Sequence, residues 1–569
     1  MADRIADIES RLGSIESRLR TLEVGIAADS DADVTVQPSL SEGFVANAST
    51  QIGRVLLIFG GAYLLRAITD ADFRFIPTAV GLLFGAGYAL FWLYMAYRKG
   101  RLDGQRASAM FYGGTSILLA MPLLVEAVTR FGLLSGVQGL IALAILCALA
   151  LAVAALRDLR SLGWLVIGGG VATAFAIMIA AHAAIATVVF LLALGLGSLW
   201  LVWVKQWHGM QWLGALGANA GVLSLSVLGD SERWVIDAGT AALFGMAAVL
   251  AYGLSFALSA QILRRDLGWF ETLQGLAITA IAFLVAGAAV ASGDIGLLPM
   301  GTFVGVLGLA AYGLALTPRT RSTRGRNFYY FSYFGLLLVV AGTALVLPPV
   351  PAAALWSVLA VTMAWFSGRT GWVALSLQCT LLLLAAGFRS GLLATGLFAL
   401  AGDAALTWPE LLPWHIGIAL ATVACLFLPV AQHSERWGAM AGLPQLLVLA
   451  LSVWEVGGLI VVIAAGLFAG AASASPNLGM IAAVRTVVLA AASVTLAVSS
   501  RFRRWPEARW LVYPVLVVVG IKLFVEDLPQ GEPAALFVAL GFVGGALLLV
   551  TRILGAEPYP PGRATHRDG

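Results

Sequence analysis

The chain has 569 residues, of which 60% are hydrophobic and only 11% are charged, and its mean hydropathy is +0.92. A soluble domain carries about 25% charged residues, so this composition excludes a protein that lies mostly in water. The formal net charge of +4 does not indicate a nucleic-acid partner. The basic residues lie in short loops between apolar segments, as the positive-inside rule of membrane proteins describes.

Residues 1–24 are predicted to form a coiled-coil helix. Apolar residues recur there in steps of three and four, as on the seam of a heptad repeat: Ile5, Ile8, Leu12, Ile15, Leu19 and Leu22. Arginines and glutamates flank this seam at positions that would pair between parallel helices. We therefore predict a homo-oligomer through residues 4–23, with an amphipathic helix on the protein or the bilayer as the alternative. Residues 25–51 are predicted to be a flexible linker.

Residues 52–554 are predicted to form a multi-pass transmembrane domain. The apolar runs there are about twenty residues long, which is enough to cross a hydrocarbon core of about 30 Å. In lipid each segment must satisfy its own backbone hydrogen bonds, so the runs are predicted to be helices. The fold class is therefore an all-α polytopic transmembrane helix bundle of about eighteen crossings. The predicted crossings are 52–68, 75–97, 108–129, 133–156, 163–181, 183–204, 212–229, 234–258, 269–292, 295–316, 328–347, 350–367, 371–388, 414–431, 445–472, 477–500, 510–526 and 533–552.

The stretch 389–412 is apolar but contains charged residues and prolines, among them Arg389, Asp403 and Pro409. We predict that it is re-entrant or interfacial, because counting it as a crossing would place the basic segment 501–505 outside. With this choice the arginine-rich loops all fall on one side, which the positive-inside rule makes cytoplasmic. The N-terminus and the tail, residues 555–569, are then cytoplasmic as well, and the tail is predicted to be disordered.

No sequence motif of nucleotide binding, zinc proteolysis or a serine nucleophile is present. The five histidines are widely scattered, and Cys147, Cys379 and Cys425 lie in separate apolar runs without metal-ligand spacing. We therefore predict no catalytic residue, no cofactor and no metal site, and we favour a protein that is not an enzyme.

Ionisable residues inside the bilayer are costly and indicate function by default. Glu455, Arg485 and Lys522 lie in three consecutive predicted crossings, at similar distances from the outer face. The functional hypothesis is an intramembrane polar site for an anionic substrate or a proton relay, with Lys522 as a surplus base. The structural alternative is an ion pair between Glu455 and Arg485. Lys522 has a further alternative partner in Glu526, four residues later.

Arg66, Glu126 and Asp527 are the candidate polar residues near the outer face. Long side chains near helix ends reach the headgroups, so an interfacial role is the alternative. Small residues four apart, such as Gly217/Gly221, Gly301/Gly305 and Gly541/Gly545, predict close helix packing.

Six segments support a resemblance. In chain order they are IESRLGSIESRLRTLE, IGRVLLIFGGAYLLRAITD, FYGGTSILLAMPLLVEAVTRFGLLS, ALRDLRSLGWLVIGGGVATAF, GIKLFVEDLP and LGFVGGALLLV. Together they resemble the bacterial predicted membrane proteins grouped as "domain of unknown function 2339". Arg66, and Lys522 with Asp527, match basic and Lys-x-x-x-x-Asp positions of that family. The resemblance implies a bacterial cell (inner) membrane location, but it does not indicate an activity.

Three functional hypotheses follow. The first is a transporter or channel-like protein for an anionic or envelope-related substrate. The second is a scaffold that organises envelope proteins through its coiled coil. The third is an integral-membrane transferase acting on a lipid-linked substrate, for which Asp403, Glu410 and His415 are the only grouping of suitable residues.

Overall fold

The computed structural model describes residues 78–555, apart from gaps at 103, 230–233, 235, 318–324, 403–409, 429–441, 470–477, 503–504 and 531–532. The predicted coiled-coil helix, the linker, the first predicted crossing and the tail after Gly555 lie outside these residues. Arg66 and Asp403 lie outside them too.

Helices and no strands form the regular structure of the described residues, which confirms the all-α fold class. We number the longer helices in chain order. They are α1 (Thr78–Lys99), α2 (Arg106–Thr129), α3 (Gly136–Arg157), α4 (Arg160–Ala181), α5 (Ala184–Lys205), α6 (Met210–Gly229), α7 (Ala238–Gln261), α8 (Trp269–Ala291), α9 (Leu297–Ala315), α10 (Arg326–Val346), α11 (Pro349–Thr370), α12 (Val373–Arg389), α13 (Leu392–Ala401), α14 (Pro413–Phe427), α15 (Leu443–Ala469), α16 (Leu478–Ser499), α17 (Ala508–Lys522) and α18 (Pro533–Gly555). A π-helical turn, Leu523–Asp527, and a short helical turn, Leu528–Gln530, follow α17.

Within the described residues, 15 helices are long and apolar enough to cross a membrane, and 16 if the bent pair α12 and α13 is one span. Helix α14 is apolar but shorter. Each predicted crossing from the second onward overlaps one of the helices. Large apolar side chains such as Phe84, Leu548 and Phe537 remain 66–80% exposed, as lipid-facing residues are. These helices make the chain a multi-pass membrane protein in contact with lipid.

The chain divides into two compact units, residues 1–225 and 226–569. In the first, α2 to α5 pack around buried aliphatic residues such as Leu143, Val166 and Leu191. In the second, α11, α12 and α17 contribute Trp356, Leu382 and Val512 to one core. Glu455, Arg485 and Lys522 lie in the second unit.

Glycine allows the closest helix contacts. A side chain at Gly335 on α10 would lie 2.8 Å from the carbonyl oxygen of Gly308 on α9, so the two backbones touch. Gly301 meets Gly342 in the same way, and Gly217 packs against Val171. Gly541 and Gly545 on α18 instead face open space. The small-residue pattern thus predicts close packing correctly for Gly217/Gly221 and Gly301/Gly305, but not for Gly541/Gly545.

Candidate functional site

A sharp break separates α12 from α13. The two helices are bent by 75° across Ser390 and Gly391. Gly391 has a φ of +82°, a left-handed conformation that glycine adopts without steric cost. The hydroxyl of Ser390 accepts a hydrogen bond from the backbone N–H of Leu392 at 3.3 Å, which helps to start the second helix. The first half of the stretch 389–412 therefore contains the break and α13, and the bent pair α12 and α13 is either a broken span or a re-entrant segment.

Arg485, on α16, binds the carboxyl end of α13. Its Nε donates to the carbonyl oxygen of Ala399 at 2.6 Å, and one terminal nitrogen donates to that of Phe398 at 3.0 Å. The last carbonyls of a helix lack partners within the helix and carry partial negative charge. A buried guanidinium, 1% exposed, therefore satisfies the end of a helix that stops inside the protein.

The other side of Arg485 faces a carboxylate. Its second terminal nitrogen lies 2.6 Å from Glu526 Oε1 in the π-helical turn after α17. Lys522 lies at the end of α17, with its Nζ 3.3 Å from Glu526 Oε2 and 3.0 Å from Asp527 Oδ1. Glu526 thus bridges the two bases, and Asp527 holds the second base from the other side.

Thr486 completes this arrangement. Its hydroxyl donates to Asp527 Oδ2 at 2.6 Å and accepts from Lys522 Nζ at 2.9 Å. Lys522 Nζ also donates to the carbonyl oxygen of Ala482 at 2.9 Å. We call Arg485, Thr486, Lys522, Glu526 and Asp527 the ionic network. It ties α16 to the end of α17 and to α13.

The ionic network is balanced in charge. Its two bases, Arg485 and Lys522, are matched by its two carboxylates, Glu526 and Asp527. All four ionisable side chains are at least four-fifths buried, with Glu526 the most exposed at 19%. Lys522 is therefore not the surplus base that the sequence suggested, and the predicted i+4 contact between Lys522 and Glu526 is present.

The π-helical turn has a cause in the sequence. Pro529 has no N–H, and in a regular helix its ring would collide with the carbonyl of Val525. The chain widens instead, and the N–H of Leu528 donates to the carbonyl of Leu523, five residues earlier. Such widened turns occur often at functional sites. Here the turn brings both Glu526 and Asp527 within reach of Lys522.

Glu455 lies apart from the ionic network. Its side chain, on α15, is 0% exposed. Oε2 accepts a hydrogen bond from the hydroxyl of Thr422 on α14 at 2.7 Å, whereas Oε1 is buried without a hydrogen-bond partner among the described residues. Oε1 lies against Gly387 on α12, where a methyl group would approach it to 2.8 Å.

Glu455 and Arg485 mark opposite ends of α13. The neighbour of Glu455, Trp454, donates its indole N–H to the carbonyl of Leu393 at the start of α13. Arg485 binds the carbonyls at the other end, and α13 is ten residues long, about 15 Å. The structure therefore pairs Arg485 with Glu526 and leaves Glu455 with Thr422, in place of the ion pair considered from the sequence.

Two more buried polar groups surround the break. His415, on α14, contacts the carbonyl oxygen of Ser390 through Nε2 at 3.2 Å, while its Nδ1 is buried without a partner in the described structure. Arg389 donates a terminal N–H to the carbonyl of Ala344 at 3.1 Å, and its Nε is likewise buried without a partner there. The sequence predicted the end of a crossing at residue 388 but did not connect these residues with Glu455, because apolar spacing does not show which segments pack together around a break.

The remaining candidate residues are placed as follows. Asp527, grouped from the sequence with the outer-face residues, belongs to the ionic network. Glu126 lies half-buried near the end of α2, in the first unit. In the proposed transferase grouping, Glu410 is exposed and His415 is buried. Asp237 caps α7, and hydrogen bonds from Thr240 to its carboxylate lower the pKa of Asp237 below its usual value.

Within the described residues no group of three or more His, Cys, Asp or Glu side chains is arranged to hold a metal ion. Cys379 and Cys425 are free thiols that lie side by side between α12 and α14, a proximity that their separation in sequence did not indicate. Comparisons with protein-family models, with curated proteins and with solved structures found no match to the chain.

Proposed function

We propose that this protein is a proton-coupled membrane transporter in which Glu455 carries the coupling proton. One observation carries the proposal. A fully buried carboxyl group, one oxygen of which has no hydrogen-bond partner among the described residues, lies beside the helix break between α12 and α13. Transporters commonly place their substrate and ion sites at discontinuous helices of this kind.

The environment of Glu455 favours exchange of a proton. A carboxylate buried without a cation is costly in a medium of low dielectric constant, so this group needs a proton or a bound cation. Thr422 donates one hydrogen bond to Oε2, and Oε2 can accept it whether the carboxyl group is ionised or protonated at Oε1. Oε1 is the position at which a proton is added or removed, and it packs closely against Gly387.

The ionic network argues against an anion bound at Arg485 and Lys522, the site considered from the sequence. An anion site needs a base that is not already neutralised, and both Arg485 and Lys522 contact carboxylates within the network. We assign the network to the support of α13, since Arg485 holds the carboxyl end of that helix. The moving charge then lies at the other end, at Glu455.

Proton-coupled uptake in reconstituted vesicles tests the proposal. Vesicles enclosing a pH-sensitive dye are given a panel of small solutes under an imposed pH gradient. We expect at least one solute to change the internal pH with wild-type protein, and the response to be absent with Glu455→Gln. Glu507→Gln serves as the control, because it removes a half-buried acid of the same unit, just before the start of α17.

An unchanged response with Glu455→Gln, or no response to any solute with wild-type protein, would contradict the proposal. Deletion of residues 1–24 distinguishes the transporter from the scaffold alternative. A scaffold would lose its cellular role together with the predicted coiled coil, whereas a transporter would retain flux in vesicles. We further propose a bacterial inner-membrane location with both termini in the cytoplasm. The distribution of arginine in the loops supports this orientation.

A further inference from the structure

A second feature of the same unit points to a ligand. A cavity of about 560 Å³ opens between α8, α10 and α12, which is within the usual range of small-molecule sites, about 300–1,000 Å³. We call it the aromatic groove. Its wall carries Trp269, Tyr329, Tyr330, Tyr333 and Phe334.

The aromatic wall is ordered by stacking along α10. The rings of Tyr330 and Phe334 stack with centroids 5.7 Å apart and planes 11° from parallel, and Tyr329 stacks on Tyr333 at 6.5 Å. Tyr330 lies across Gly275 on α8, where a side chain would collide with its hydroxyl. The wall is therefore held in place by α8.

The groove is polar at one end and apolar at the other. Arg326 and Thr272 line it in the first turns of α10 and α8, whereas Leu276, Leu337 and Leu381 line it further along. These three leucines are 44–48% exposed, as expected for side chains that meet hydrocarbon in a membrane-spanning helix. Arg326 and Leu337 are eleven residues apart, or about 16 Å along the helix, close to half of a hydrocarbon core of about 30 Å.

The charge of Arg326 is unfavourable for its own helix. As the first residue of α10, it places a positive charge at the positive end of the helix dipole, where a cation is unfavourable. Arg326 therefore does not serve the stability of its own helix. The acid of the neighbouring turn, Glu271, binds the backbone N–H of Gly268 at 2.8 Å and does not line the groove.

From this geometry we propose that the aromatic groove binds one membrane lipid with an anionic headgroup. Arg326 contacts the headgroup at the interface, and the acyl chain lies on the aromatic wall as far as Leu337 and Leu381. The length of the groove fits a lipid of one leaflet. This site is independent of Glu455 and of proton coupling.

Native mass spectrometry of the full chain in detergent tests this site, with phosphatidylglycerol as the anionic probe and phosphatidylcholine as the neutral one. We expect wild-type protein to retain phosphatidylglycerol in preference to phosphatidylcholine. Arg326→Gln should lose that preference, and Leu276→Trp, which fills the groove, should lose bound lipid of both kinds. Neither position is buried, so both variants are expected to fold.

Two matched controls keep the result specific. Arg509→Gln removes an exposed arginine from the first turn of α17, and Leu548→Trp enlarges a lipid-facing leucine on α18. Both controls should retain the wild-type preference. Equal retention of the two lipids by wild-type protein, or full retention by Arg326→Gln or Leu276→Trp, would overturn the assignment.

Discussion

Lys522 and Asp527 are five residues apart in the chain, and their side chains are 3.0 Å apart because one π-helical turn lies between them. In a regular α-helix, side chains three or four residues apart share a face, whereas those five apart do not. The turn allows one lysine to contact both Glu526 and Asp527. A deviation in the backbone thus creates the charge balance of the ionic network.

The ionic network should contribute strongly to stability only as a complete set. Asp527→Asn leaves Lys522 with one carboxylate fewer in a buried site, and breaking a buried pair costs about 3–5 kcal/mol. We expect a loss of that size in the free energy of unfolding, measured by denaturant titration in mixed micelles. The double variant Lys522→Met with Asp527→Leu should recover part of it, because no buried charge is then left unpaired.

The exposed pair of Arg106 and Asp158 provides the comparison. These side chains are 70% and 58% exposed and 3.8 Å apart, and such surface pairs contribute about 0–1 kcal/mol. Asp158→Asn retains the oxygen that accepts from the Trp207 indole N–H. A loss with Asp158→Asn as large as that with Asp527→Asn would show that burial does not decide the contribution.

The sequence predicted the positions of the helices along the chain far better than it predicted the contacts between their side chains. Apolar length predicts a crossing wherever lipid is the solvent, and every helix from α1 to α18 except α13 overlaps a predicted crossing. The i+4 spacing of Lys522 and Glu526 predicted one contact of the ionic network correctly. The contact with Asp527 needed the π-helical turn, for which Pro529 was the available signal.

Depth in the membrane did not reveal lateral position. Glu455 and Arg485 were placed at similar depths by counting residues from the helix ends. The bent pair α12 and α13 separates them, because Glu455 lies beside Gly387 and Arg485 binds the far end of α13. The bend depends on Gly391 and on packing between distant segments, and neither is readable from hydropathy.

Gly387 should matter for activity through its contact with Glu455. In Gly387→Ala the new methyl group would approach Glu455 Oε1 to 2.8 Å and the Leu393 side chain to 3.0 Å. We expect the carboxyl group to be displaced and proton-coupled flux to fall strongly, with a stability loss of about 1–3 kcal/mol from overpacking. Flux in vesicles and unfolding of the same preparation measure the two effects separately.

Gly417→Ala is the control for Gly387→Ala. Gly417 lies on α14, and a methyl group there meets nothing within 4 Å. This variant should retain both flux and stability. If Gly387→Ala also retained wild-type flux, the unpartnered oxygen of Glu455 would not be the group that changes during transport.

The orientation of the helices makes a prediction about three loops. Reporter enzymes fused after Gly100 and after Gly325 should both report the cytoplasm, because arginine-rich loops are retained on that side. A fusion after Gly293, between α8 and α9, should report the opposite side. A cytoplasmic signal from all three sites, or an external signal at Gly100, would contradict the assigned orientation.

The contact between α13 and α15 should depend on glycine at position 458. A side chain on Gly458 would lie 2.5 Å from the Cα atom of Gly396, so the two backbones touch where the helices cross. Backbone atoms cannot move aside as a flexible side chain can, and Gly458→Ala should therefore push α13 away from α15. We expect a stability loss of about 1–3 kcal/mol, together with reduced flux, because α13 separates Glu455 from Arg485. Gly466→Ala, on the same helix with open space around it, should leave both unchanged, and equal losses from the two variants would indicate a general cost of replacing glycine in α15 instead of a specific contact.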